Sequence, residues 1–112
     1  MKYAYWLDNI PGIGVAKRRY LFEIIGCAEE LYEMPINRLK RINGLTEKEV
    51  QRIIKSRKDW NVDKEWFDLM GKGVGFVSLE QKNFPEKLRN IPDVPYALYY
   101  IEKLPEENYR YY

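Results

Sequence analysis

The stretch Ile10-Pro11-Gly12-Ile13-Gly14 decides how the first half of this 112-residue chain folds. Apolar spacing predicts a helix over residues 3–9, which Pro11 cannot continue because it lacks an N–H group. The two glycines permit backbone angles and close approaches that a Cβ would forbid. The sequence therefore predicts a tight turn at this stretch, followed by a second helix over residues 15–25.

The second helix begins with features that suit an anion. The first N–H groups of a helix have no intrahelical acceptor, and the helix dipole adds positive charge at the same end. Lys17, Arg18 and Arg19 lie in its first turns, where cations oppose the dipole and so do not stabilise the helix. We interpret the turn as the phosphate site of a helix-hairpin-helix element; the alternative is a plain corner between two helices. The N–H groups that we expect to face a phosphate are those of Gly12, Ile13, Gly14 and Val15.

A weaker copy of this pattern, Ile42-Asn43-Gly44-Leu45-Thr46, stands thirty-two residues further along the chain. It precedes a second basic helix and adds Gly44 and Lys48 to the candidate DNA contacts. Thr46 replaces the second glycine, and Thr46 with Glu49 predicts a capping box at the helix start. Because the Glu49 carboxylate would compete with a phosphate, a plain helical corner is the favoured interpretation of this second turn.

The charge of the chain is small and unevenly distributed. Residues 1–60 contain twelve Lys and Arg residues against eight Asp and Glu, a net charge of +4. Residues 61–112 contain seven against nine, a net charge of −2. The hairpin half is therefore the basic half, and any affinity for nucleic acid is expected to be weak and sensitive to salt.

Composition excludes several kinds of chemistry. The chain has no histidine, which removes imidazole acid–base catalysis and histidine-ligated zinc. Its one cysteine, Cys27, is predicted to be a small buried residue without a role. We expect no enzyme activity, no cofactor, no metal, no membrane span and a cytoplasmic location. A glycosylase or lyase of the helix-hairpin-helix type would need a lysine nucleophile and a catalytic aspartate. The only candidates for that aspartate, Asp59 and Asp63, lie near the basic helix of the second hairpin.

The remaining pattern predicts a mainly α fold. Five helices precede residue 60, and a sixth contains an apolar stripe that we interpret as core: Trp66, Phe67, Leu69 and Met70. After Gly73, short β-branched runs predict strands at residues 74–79 and 97–101. Two strands alone form a marginal sheet, so we expect them to pack on the Trp66 helix or to join a larger sheet, and to be the less stable end of the molecule. The predicted division is a helical domain over residues 1–72 and a strand-containing segment over 73–112.

Several motifs resemble the N-terminal region of the DprA (Smf) family of DNA-processing proteins over residues 3–104. They are the first glycine turn, Gly44-Leu45-Thr46 and above all Phe84-Pro85-Glu86-Lys87-Leu88-Arg89-Asn90-Ile91-Pro92-Asp93-Val94-Pro95. The resemblance implies a SAM-like tandem helix-hairpin-helix domain, followed in the family by a Rossmann-like domain that is absent from this sequence. Arg18 departs from the family, which has a small or apolar residue there, so either the helix is rotated or the side chain lies at an edge.

The resemblance also implies a function. Proteins of this family handle incoming single-stranded DNA in natural transformation and help to load RecA, so we expect weak, non-specific contact with single-stranded DNA, and RecA as a partner of the full-length protein. The alternative is a protein-interaction module that binds partners or forms a homo-oligomer. Ten tyrosines and three tryptophans supply residue types that are enriched in such interfaces.

Overall fold

Residues 1–101 are described by a computed structural model of the chain and form seven helices and two strands. The fold is mainly α with a small two-stranded sheet, as the sequence predicts. The elements in chain order are α1 (Lys2–Leu7), α2 (Val15–Ile25), α3 (Ala28–Glu33), α4 (Ile36–Leu39), α5 (Glu47–Asp59), α6 (Val62–Gly71), β1 (Val74–Ser78), α7 (Glu86–Arg89) and β2 (Ala97–Ile101).

Local signals explain where these helices begin and end. Helix α2 ends at Gly26, whose left-handed backbone (φ +86°) is the conformation that glycine adopts most easily. Asn61 caps α6 by accepting a hydrogen bond from the Lys64 N–H at 3.0 Å. Helix α1 ends at Leu7, before the predicted residue 9, because the chain already turns at Asp8 and Asn9.

The core is one cluster of buried apolar side chains drawn from helices and strands alike. Trp6 lies at its centre with no exposed surface, and its Nε1–H donates to Ser56 Oγ at 3.1 Å. The largest other side chains with 2% or less exposure are Leu7, Ile10, Ile13, Leu21, Leu31, Leu39, Ile53, Phe76, Phe84 and Tyr96. The two turns and the sheet are therefore held by the same hydrophobic contacts.

The two strands pair antiparallel, with Phe76 opposite Tyr99. They pack on α6, as expected, because the Trp66 ring meets the Phe76 ring edge-on with centroids 5.9 Å apart. The long connection between the strands is tied back by Arg89, whose guanidinium donates to the carbonyl oxygens of Leu79 and Gln81.

Two expectations about burial are wrong. Phe67 is 77% exposed and Met70 is 44% exposed, because the buried face of α6 contains Leu69 and the half-buried Trp66 instead. Cys27 is also exposed. It is the N-cap residue of α3 in an extended backbone, and the buried residue at this helix start is its neighbour Ala28.

None of the helices in the described part of the chain combines the length and apolar character of a membrane span. The predicted boundary at residue 72 stays a prediction, and residues 102–112 of the predicted C-terminal segment lie outside the described residues.

Candidate nucleic-acid interface

The first turn joins α1 to α2, and it contains two buried side chains and a glycine with a left-handed backbone. Ile10 and Ile13 are 0% and 1% exposed and anchor the turn in the core. Between them Gly12 has a φ of +81°, and the Ile13 N–H donates to the Ile10 carbonyl at 3.2 Å. The Ile13 N–H is thus engaged within the turn, although it was among the predicted phosphate contacts.

The start of α2 is open. Gly14 is the N-cap in extended backbone and supplies no side chain to the helix, whose first internally bonded donor is the Arg18 N–H, which bonds the Gly14 carbonyl at 3.0 Å. The earlier N–H groups of the first turn have no intrahelical acceptor. A Cβ placed on Gly14 would meet no other atom within 4 Å, and Val15 is half exposed. An anion can therefore approach this helix end.

The start of α5, at the second turn, is closed by the predicted capping box. Thr46 Oγ1 accepts from the Glu49 N–H at 3.1 Å, and the Glu49 carboxylate accepts from the Thr46 N–H at 2.9 Å. The Thr46 N–H holds the pKa of Glu49 below its usual value, with Lys17 contributing. A negative charge thus already occupies the second turn, in contrast to the first.

The two hairpins contact each other reciprocally. Arg52, on α5, lies over the first turn: its Nη1 donates to the Gly12 carbonyl at 3.2 Å. Tyr20, on α2, lies over the second turn, and its hydroxyl donates to the Asn43 carbonyl at 2.5 Å. Each of these side chains stands eight residues after its own turn's glycine and covers the other one. The thirty-two-residue repeat in the sequence is therefore a twofold-like repeat in space.

The candidate cation Lys17 lies between the two hairpins. Its Nζ donates to the Gly44 carbonyl and is 3.7 Å from the Glu49 carboxylate. Lys17 and Glu49 are themselves thirty-two residues apart, so this ion pair joins equivalent positions of the two hairpins. Gly44, another candidate contact, has a φ of +91° and packs under the Tyr20 ring. Both residues thus have a contact within the chain that explains their position.

Arg18 and Arg19 connect α2 to other elements. Arg18 pairs with the Asp8 carboxylate at 3.7 Å and is only 21% exposed, which agrees with an edge position. Burial raises the pKa of Asp8, although a hydrogen bond from the Tyr99 hydroxyl and the Arg18 charge oppose this shift. Arg19 donates to the Val94 carbonyl at 2.9 Å and so fastens the proline-rich connection to the hairpin.

The structure thus brings the candidate residues of the first hairpin together, and it gives each of its three cations a hydrogen-bond or ion-pair partner within the chain. Lys48 is exposed on the first turn of α5. Arg52 was not among the candidates, although it contacts the first turn. Its position eight residues after Gly44, where Tyr20 follows Gly12, was the available signal. The assignment of these residues to DNA stays a prediction.

Comparison with known proteins agrees with this geometry. Residues 7–59 match the family described as SAM-like helix-hairpin-helix tandem, and they form a domain of that class. The chain is also 25% identical over 103 residues to Protein Smf of Synechocystis sp.. This confirms the resemblance to the DprA (Smf) family. The alignment covers 90% of this chain but only 26% of that protein, so the chain spans about a quarter of its relative. No solved structure shows significant similarity.

Proposed function

We propose that this chain is a non-catalytic accessory domain of a DprA-like DNA-processing protein, and that it contacts the phosphate backbone of DNA through its first hairpin. In the full-length protein, it would help to handle incoming single-stranded DNA in natural transformation in the cytoplasm, with RecA as a partner. Contacts to phosphate position a protein on DNA without reading its sequence.

The observation that carries this proposal is the difference between the two turns. The start of α2 has a glycine N-cap and open space around it, whereas the start of α5 is filled by the Thr46 and Glu49 side chains. Lys17, Arg18 and Arg19 place positive charge near the open turn while their internal contacts fix its shape. With so few contacts, binding at physiological salt is expected at about 10⁻⁴ to 10⁻⁶ M.

The test places the same negative charge at each of the two turns. Gly14→Asp puts a carboxylate at the open turn, and it suits the fold because aspartate is a good N-cap and nothing obstructs its Cβ. Thr46→Asp is the matched control, since residue 46 holds the equivalent position in the second hairpin. We expect Gly14→Asp to weaken the binding of labelled oligonucleotides about tenfold, or about 1.4 kcal/mol, and Thr46→Asp to change it little. Equal affinities for both variants and the unchanged chain would contradict the proposal.

A second candidate function is supported by the apolar surface of α6. Phe67 and Met70 are exposed one helical turn apart, and such side chains are typical of partner or self-association surfaces. Sedimentation of the unchanged chain and of Phe67→Glu at the same concentration tests this alternative. A dimer that dissociates on substitution, in a chain that binds no DNA, would favour an interaction module.

A further inference from the structure

A small cleft lies beside the first hairpin turn, between Pro11 and the second half of α5. Its volume is about 190 Å³, and its lining residues are Pro11, Arg52, Lys55, Ser56, Asp59 and Trp60. This volume is below the range of pockets for drug-sized ligands, so the cleft suits a single flat group. The Ser56 hydroxyl already bonds Trp6 Nε1 and the Ile53 carbonyl and therefore belongs to the fold.

Trp60 contributes an aromatic ring to this cleft. The ring is half-buried and meets the Tyr5 ring edge-on, with centroids 5.4 Å apart, which fixes its orientation. Its Nε1–H is buried and has no hydrogen-bond partner among the described residues. Buried donors without a partner are rare in folded proteins, so this one calls for an explanation beyond packing.

Arg52 contributes positive charge where the cleft meets the turn. Its side chain is exposed and bonds the Gly12 carbonyl, and within the described part of the chain it pairs with no carboxylate. A guanidinium carries five N–H donors, so most of them are available to an incoming phosphate. Lys55, by contrast, is paired with Asp59 at 2.6 Å.

We propose that this cleft is a base-binding site, in which one nucleobase of single-stranded DNA lies against Trp60 and Pro11 while its phosphate contacts Arg52 at the first turn. The inference rests on the proposed function of the first hairpin and adds to its phosphate contacts a contact with one base. Bases in a duplex are already stacked and paired, whereas an unpaired base is free to stack on an aromatic ring.

Two oligonucleotides of equal charge test the proposal on the unchanged 112-residue chain. One is an octamer of thymidine, and the other has the same eight-unit backbone with abasic sugars throughout. We expect the abasic strand to bind about fivefold more weakly, with the same salt dependence because the phosphates are identical. Equal affinities would overturn the base site and leave the phosphate site standing, whereas no binding of either strand would overturn both.

Variants locate the site. Trp60→Leu should abolish the difference between the two strands, and Trp66→Leu, which removes another half-buried ring in contact with Tyr5, should preserve it. Arg52→Gln should weaken both strands, while Lys58→Gln on the same helix, outside the cleft lining, should not. The assignment would be overturned if Trp60→Leu kept the difference between the strands while Trp66→Leu lost it. It would also be overturned if Lys58→Gln weakened binding and Arg52→Gln did not.

A measurement on the unchanged protein covers the case in which Trp60→Leu does not fold. An octamer in which 5-iodo-2′-deoxyuridine replaces thymidine forms cross-links, on irradiation, to side chains that touch the base. Peptide mapping then identifies the attached residue. We expect the cross-link at Trp60. A cross-link confined to residues outside this cleft would overturn the proposal.

Discussion

At the scale of single residues, Gly12 and Gly44 each have two roles: they turn the chain, and they leave room for a side chain of the other hairpin. Both have a left-handed backbone, with φ of +81° and +91°, which turns the chain between helices. Both also lie directly under a side chain of the other hairpin. A Cβ on Gly12 would come within 2.5 Å of Arg52 Cδ, and one on Gly44 within 2.9 Å of Tyr20 Cε2. These glycines therefore allow the hairpins to pack against each other as well as to turn.

Gly44→Ala tests the close approach of the Tyr20 ring to Gly44, and Gly26→Ala is the matched control. Gly26 has nearly the same φ of +86°, but a Cβ there would meet nothing within 4 Å. Both substitutions should cost about 1–2 kcal/mol for an L-residue in the left-handed region. Gly44→Ala should cost more, because the Tyr20 ring must also move. Denaturant unfolding of the two variants measures the difference, and equal losses would show that the ring adjusts without cost.

At the scale of elements, the caps and breaks of the helices could be predicted from the sequence, because each depends on a few neighbouring residues. The capping box of α5 and the Asn61 cap of α6 are examples. The buried face of α6 could not be predicted in full. Trp66 and Phe67 are adjacent and both are large aromatic residues, and only the position of α1 and β1 decides that Trp66 is the one covered.

The same limit applied to the candidate site. The glycines and cations of the first hairpin were recognisable, but the partners of its two arginines come from outside α2. Arg18 meets Asp8, and Arg19 meets the Val94 carbonyl. These pairings depend on how α2 lies against the rest of the chain, which local sequence does not specify. The position of Arg52 over Gly12 also depends on this packing, and its only sequence signal was that Tyr20 stands at the equivalent position of the first hairpin.

The capping box predicts a specific pH dependence of stability. Because the folded-state pKa of Glu49 lies below the ordinary value of 4.5, its ionised form stabilises the fold above that pH. This contribution is lost as the pH falls through 4.5 towards the lowered value. Glu49→Gln should therefore melt at a lower temperature than the unchanged chain at pH 7, and the gap should close in acid. Glu47→Gln, an exposed carboxylate in the same helical turn, should show a smaller gap; equal gaps would count against the cap.

The sides of α6 give a second prediction at this scale. The Trp66 ring contacts the rings of Tyr5 and Phe76, each with centroids 5.9 Å away, whereas Phe67 is 77% exposed. Trp66→Ala should cost about 2–3 kcal/mol, below the range for fully buried aromatics, and Phe67→Ala within about 0.5 kcal/mol of zero. Thermal melting of the two variants distinguishes them. A large loss in Phe67→Ala would mean that another molecule covers this surface.

At the scale of the whole molecule, the core crosses the boundary that the sequence predicts at residue 72. The Tyr5 ring contacts four other aromatic rings, two on each side of that boundary: Trp60, Trp66, Phe76 and Tyr99. Polar contacts cross it as well. The Tyr99 hydroxyl donates to Asp8 at 2.8 Å, and the Arg19 guanidinium donates to the Val94 carbonyl. The sheet is therefore attached to the hairpins by buried rings and by hydrogen bonds.

This shared core predicts that the hairpins and the sheet unfold together, although the sequence alone predicts a weaker C-terminal part. Native-state hydrogen exchange followed by mass spectrometry measures the free energy of opening for each segment. Val77 of β1 and the next alternate residue, Leu79, whose N–H donates to the Tyr96 carbonyl at 2.9 Å, should show the same opening free energy as Val50 and Ile53 of α5, because exposing either set requires breaking the same cluster. The outer edges of both strands should exchange faster, since no third strand pairs with them within residues 1–101. If β1 instead opens at a clearly lower free energy than α5 throughout, residues 1–72 form a cooperative unit of their own, and the strand segment depends on contacts outside it for its stability.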